Sequence, residues 1–143
     1  MMQATFPLAQ MGRLERVLKR LDELPRRTSA FAAPDITAAL QKEFAQGRDP
    51  HGRPWKKLAT GKPSHLTASK KLRRQTRAAL LPGSRMGLRI LFGSRARVAG
   101  FHQTGTGSMP ARRILPDKGL PVSWRVALER AHRKAFQAIT RAQ

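Results

Sequence analysis

Apolar positions in the first part of the chain recur at helical spacing. From about Met11 to Leu24, Met11, Leu14, Val17, Leu18, Leu21 and Leu24 share a face while Arg13, Arg16, Lys19 and Arg20 lie largely elsewhere. This predicts an amphipathic helix that Pro25 stops. A short connection through Arg26, Arg27, Thr28 and Ser29 leads to Pro34-Asp35, where Asp35 is suited to cap a second helix carrying Ile36, Ala39, Leu40 and Phe44. Gly47 is placed to end that helix. Between Gly47 and Trp55 the periodicity collapses: two glycines and two prolines rule out regular structure, predicting consecutive turns that deliver Trp55 to a fixed place. From Lys56 to about Ser69 the chain is polar and punctuated by Gly61 and Pro63, which predicts a long surface loop.

Basic residues then interleave with apolar ones. Lys70, Lys71, Arg73, Arg74 and Arg77, set among Leu72, Ala78, Ala79 and Leu80, predict a short basic helix or a helix turning into a strand. Past Pro82-Gly83, Met86 to Phe92 alternates as a strand whose Leu88, Ile90 and Phe92 face the core, and Gly93-Ser94 ends it. Val98 to Gln103 reads as its hairpin partner, Thr104 to Ser108 as a flexible loop and Ala111 to Leu115 as another short strand. Ser123 opens a closing helix with Trp124, Ala127, Leu128, Ala131, Ala135 and Ile139 on one face. Two helices, an irregular loop, a small antiparallel sheet and a final helix make the α+β class, with the helices covering one face of the sheet. The expected organisation is a single domain over residues 1–143, with a flexible N-terminus over about 1–8 and a long loop over about 47–69.

Charge changes this picture more than composition does. Lys and Arg total 29 against 8 Asp and Glu, a formal net charge of +21, so isolated copies should repel one another and attract polyanions. The basic residues are spread through nearly every segment, so the excess belongs to the folded domain and not to a tail. The absence of cysteine excludes disulfides, thiolate metal sites and thiol nucleophiles, and suits a reducing cytoplasm. No stretch approaches the ~20 consecutive apolar residues of a membrane span, and the N-terminus lacks a basic-then-apolar secretory signal. A soluble, unexported protein without membrane contact is expected.

Candidate chemistry is sparse. Asp22 and Glu23 are adjacent and point in different directions on a helix, so a two-carboxylate hydrolase is disfavoured. His51, His65, His102 and His132 lack metal-ligand spacing, and no metal or cofactor is expected. Gly105-Thr106-Gly107 lacks the Lys-Ser ending of a phosphate loop and reads as a loop tip. A pairing of His102 with Ser94 or Ser108 has no orienting carboxylate beside it in the sequence. The segment carrying Lys70, Lys71, Arg73, Arg74 and Arg77 is the candidate for phosphate or acidic-partner contacts, since cations on adjacent turns track a nucleic-acid backbone without reading bases. Aromatic residues are only 6% with no tyrosine, so a single-strand stacking platform is poorly supported.

Several segments in order carry a resemblance: Phe44 with Gly47-Arg48-Asp49-Pro50-His51-Gly52-Arg53-Pro54-Trp55, then Phe92-Gly93-Ser94, Phe101-His102-Gln103-Thr104-Gly105 and Met109-Pro110-Ala111-Arg112. Over about residues 36 to 140 they resemble the phage virion morphogenesis family, the tail-completion proteins of Mu-like phages. Thr104 stands where that family tends to have an aromatic, and Arg113-Ile114 replaces its usual Pro-Phe. The resemblance implies a non-enzymatic virion subunit. It would form a ring, six-fold in the family's manner, at the head-proximal end of the tail or in the neck, assembling in the host cytoplasm beside connector and tail-tube proteins. Trp55, Phe101, His102, Gln103, Arg112 and Arg113 become candidate subunit or partner contacts, with Trp55 the packing anchor of its loop and Arg112 forming charged hydrogen bonds at a subunit boundary. Surplus positive charge would meet acidic rings or genomic DNA in the lumen. The competing readings are a basic nucleic-acid-binding protein and, more weakly supported, a small hydrolase.

Overall fold

The computed structural model describes residues 8–57, 70–83 and 87–141, with the side chains of residues 8–10 and 70 outside the description. Helix α1 spans Leu8–Leu21 and helix α2 spans Leu24–Gln46. Pro25 therefore sits in the first turn of α2, where its missing N–H has no intrahelical acceptor to lose. The expected start at Asp35 is also corrected: Pro34 lies inside α2. Its ring faces solvent, so the helix loses one backbone hydrogen bond, while the buried stripe Thr28, Ala32, Ile36, Leu40 and Phe44 runs unbroken past it at i, i+4 spacing. Gly47 ends the helix as expected, in the left-handed conformation with φ 65°, its N–H returning to the Phe44 carbonyl.

Helix α3 (Lys70–Gln75) leads directly into strand β1 (Arg77–Leu80), which pairs antiparallel with β2 (Leu88–Leu91) in the register Arg77↔Leu91 to Leu80↔Leu88. The expected partner of β2, Val98 to Gln103, is instead part of helix α4 (Ala96–Thr104), entered through a 3-10 turn at Gly93–Arg95. Its buried residues, Ala99 and His102, are three apart, the helical period and not the alternation of a strand. The segment Ala111 to Leu115 is likewise not a strand but an irregular stretch. Helix α5 (Val122–Arg141) closes the chain. It buries Trp124, Ala127, Ala131, Ala135 and Ile139, the face that the sequence predicts.

The fold is α+β, with α5 packed on α2 and on the inner face of the hairpin. Ala32, Ile36 and Leu40 of α2 meet Trp124, Ala127 and Ala131 of α5 and Ala78 of β1, with Leu88 and Ile90 against the same cluster. Alanines on both helices let their backbones approach closely. The polar groups of α2 hold the sheet in place: Thr37 Oγ1 accepts from the Ala78 N–H at 2.9 Å, and the Gln41 side-chain amide donates to the Thr76 carbonyl at 2.9 Å and to the Arg73 carbonyl. Helix α1 is less well covered. Val17 and Leu21 are half-buried, while Met11, Leu14 and Leu18 are more than half exposed.

Candidate functional site

The chain from Gly47 to Trp55 folds back on itself through short-range hydrogen bonds. The Asp49 N–H donates to the Arg53 carbonyl (2.9 Å), and the Asp49 carboxylate accepts from the Arg53 N–H (2.9 Å) and from Arg53 Nε (2.6 Å). The Trp55 N–H closes the loop onto the Gly47 carbonyl at 2.8 Å. These bonds satisfy the backbone of a segment whose prolines and glycines deny it a ladder. They also place the Trp55 indole against Phe44, edge to face, with ring centroids 5.5 Å apart.

Around this pair lies a second core of Phe44, Trp55, Leu72, Ala99 and Ile114, with Phe92 packed against it. It draws on the end of α2, the 47–55 loop, α3, the exit from β2, α4 and the 111–115 segment. Hydrogen bonds join the same pieces. Trp55 Nε1 donates to the Arg113 carbonyl at 2.8 Å, and Arg112 Nε donates to the Lys56 carbonyl at 2.9 Å. The Arg112 N–H donates to the His102 carbonyl at 2.7 Å. Gln103 acts as a clasp: its Oε1 accepts from the N–H groups of Ile114 and Leu115, both at 2.8 Å, and its Nε2 donates to the Leu115 carbonyl at 3.2 Å.

Asp117 links the outer side of this corner. Arg53 Nη2 reaches its carboxylate at 2.7 Å, Arg113 Nη1 reaches the other oxygen, and His51 Nε2 lies 3.8 Å away. One carboxylate thus ties the 47–55 loop to the chain after Ile114. A few residues away, Glu43 lies in a cleft with Arg48, His51 and Ser123. Burial pushes its carboxyl from the ordinary 4.5 up to about 7, opposed by the Ser123 hydroxyl and aided by the charge of Asp49. No family model, curated protein or solved structure matches this chain.

The corner gathers the sequence-predicted residues but turns most of them inward. Trp55, His102 and Arg112 are buried and Gln103 is half-buried, and the side chains of Trp55, Gln103 and Arg112 join segments of one chain. Arg112, expected at a subunit boundary, is 3% exposed and bonded to a carbonyl of its own chain. Phe101 and Arg113 remain exposed, the former with the Arg97 guanidinium 5.7 Å from its ring centroid. Of the basic set, Lys71, Arg74 and Arg77 are exposed and Arg73 is half-buried, whereas the Lys70 side chain and most of the predicted loop from Lys56 to Ser69 lie outside the described residues. Sequence reasoning missed Asp117 and Arg53 as a pair. Their link spans 64 positions, and its only signal is that acidic residues are so few. Among the described residues, no group of three His, Cys, Asp or Glu is placed to hold a metal ion, and no helix is long and apolar enough to cross a membrane.

Proposed function

We propose that this chain is a structural subunit of a tailed-phage virion, of the tail-completion type. It would assemble as a ring at the head-proximal end of the tail and join the tail to the neck. The observation that carries the reading is the convergence of the resembling segments. Phe44, Gly47 to Trp55, Phe92, His102 to Gln103 and Arg112, scattered over more than sixty residues, meet in one core and one hydrogen-bond network, which also takes in Arg113 and Ile114, where the chain departs from the family. Residues that are shared because they build a corner of a fold are expected to come together in this way. The same observation reassigns their role: Trp55, Gln103 and Arg112 shape the subunit, and contacts with neighbours fall to exposed groups such as Phe101 on α4 and Arg113 on the irregular stretch that Gln103 clasps. A heterologous ring needs two different complementary patches, so these groups supply at most one of them.

Electron microscopy of particles from a phage whose copy of this gene is disrupted tests the proposal. Filled heads accumulating beside unattached or abnormal tails are expected. Normal infectious virions would refute the assembly role.

A further inference from the structure

The register of the hairpin separates its residues cleanly. Ala78, Leu88 and Ile90 pack toward α2 and α5, which leaves Arg77, Ala79, Arg89 and Leu91 on the opposite face. Arg77 and Arg89 are both exposed and stand diagonally across the two strands, ~7–8 Å apart by ordinary sheet geometry. A groove of about 520 Å³ beside Arg77 is lined by Arg74 and Arg77 together with Ile90, Leu91, Phe92 and Ala96. Ala96 begins α4, whose first turn carries no acidic residue, and the next residue, Arg97, is exposed over the Phe101 ring. Arg74, Arg77, Arg89 and Arg97, all exposed, thus come from four elements, α3, β1, β2 and α4, with Arg74 and Arg77 lining the groove itself. No Asp or Glu occurs anywhere between Asp49 and Asp117, so nothing from this stretch neutralises them.

We propose that this outer sheet face, with α3 and the start of α4, binds the phosphate backbone of duplex DNA without reading sequence. The inference does not depend on the assembly role. Several features favour DNA over an acidic protein. Protein interfaces place aromatic anchors at their centre and deplete it of charge, whereas this sheet face carries Arg77 and Arg89 with only Ala79 and Leu91 between them. Uniform positive sign matches a uniform row of phosphates, and guanidinium forks suit phosphate oxygens bidentately. A duplex is favoured over single strands because a stacking platform needs successive exposed aromatics, and of the aromatics near this surface Phe101 is exposed while Phe92 is half-buried.

Fluorescence anisotropy of the full chain with a labelled 30-base-pair duplex of arbitrary sequence, between 50 and 200 mM NaCl, tests this. Affinity is expected to fall steeply with salt, and Arg77→Gln/Arg89→Gln to bind about ten-fold or more weakly at 100 mM, with the logarithmic salt slope smaller by about 2. Arg130→Gln/Arg133→Gln removes the same charge from exposed positions of α5 and should change affinity far less. Equal losses in the two variants would reduce the effect to net charge and overturn the proposal. So would competition by polyglutamate as effective, per charge, as that by unlabelled duplex. Unchanged thermal unfolding of both variants secures the comparison.

Discussion

Gln103 offers the sharpest test of how the corner is held, because its single amide makes three bonds to a segment that has no ladder of its own. Replacing it with leucine keeps similar bulk while removing an acceptor for two N–H groups and a donor for one carbonyl. A net contribution of about 1 kcal/mol per bond, reduced because the site is half-buried and water can replace part of it, gives a destabilisation of about 2 kcal/mol. For a chain of this size that is a fall in Tm of about 6–8 °C. Gln103→Glu separates the two functions. Its carboxylate still accepts from Ile114 and Leu115, with charge-assisted strength, but turns an acceptor toward the Leu115 carbonyl where the amide donated, so its destabilisation should be about half that of leucine, about 1 kcal/mol, at neutral pH. Urea unfolding of both variants, with amide exchange at Ile114 and Leu115 in the parent, measures this. Equal destabilisation by the two substitutions, or unprotected Ile114 and Leu115 amides in the parent, would refute the clasp.

Gly105 has φ 76°, and an added Cβ would lie 2.9 Å from the Ala111 nitrogen and 3.0 Å from the Met109 oxygen. Because both neighbours are backbone, Gly105→Ala should lower stability by about 3 kcal/mol, whereas Gly107→Ala, which meets nothing within 4 Å, should be nearly neutral in the same thermal melts. Asp117→Asn weakens the link to Arg53 and Arg113 and should destabilise by about 1–2 kcal/mol at low salt. The gap to the parent should narrow in 1 M NaCl, because both arginines are about half exposed; a salt-independent gap would argue against an ionic origin. Glu43 has a folded pKa above its unfolded value, so its protonation favours the native state. The stability that it contributes is complete below about pH 4.5 and is lost as pH rises through about 7. Glu43→Gln should accordingly match the parent near pH 4 and exceed it at pH 8 by about 1 kcal/mol, discounted for partial exposure. Equal gains at both pH values would point to packing instead.

Much of the scaffold was legible in the pattern of residues. The buried face of α5, the end of α2 at Gly47, the turns before Trp55 and the passage from basic helix to strand at Arg77 all follow from local rules of periodicity, capping and turn chemistry. Those rules failed where a local signal had two readings. Pro25 and Pro34 look like barriers, yet one begins α2 and the other sits on its solvent side, because the stripe from Thr28 to Phe44 is buried against α5 and the sheet as one unit. Val98 to Gln103 has strand-like residues, yet Ala99 and His102 are buried at helical spacing and the strand's real partner lies earlier in the chain.

The candidate site divides in the same way. The resemblance singled out Trp55, Gln103 and Arg112 as candidate contacts. Their inward direction was not readable from it, since it depends on bonds between residues as far apart as Trp55 and Arg113. The sequence by itself determined the charge, the helical stripes and the turn at Gly47, because each depends on neighbours within a few positions. Only tertiary structure decided which strand pairs with which, which arginines are buried and which face solvent, because those outcomes are set by packing between segments whose separation the chain does not encode locally.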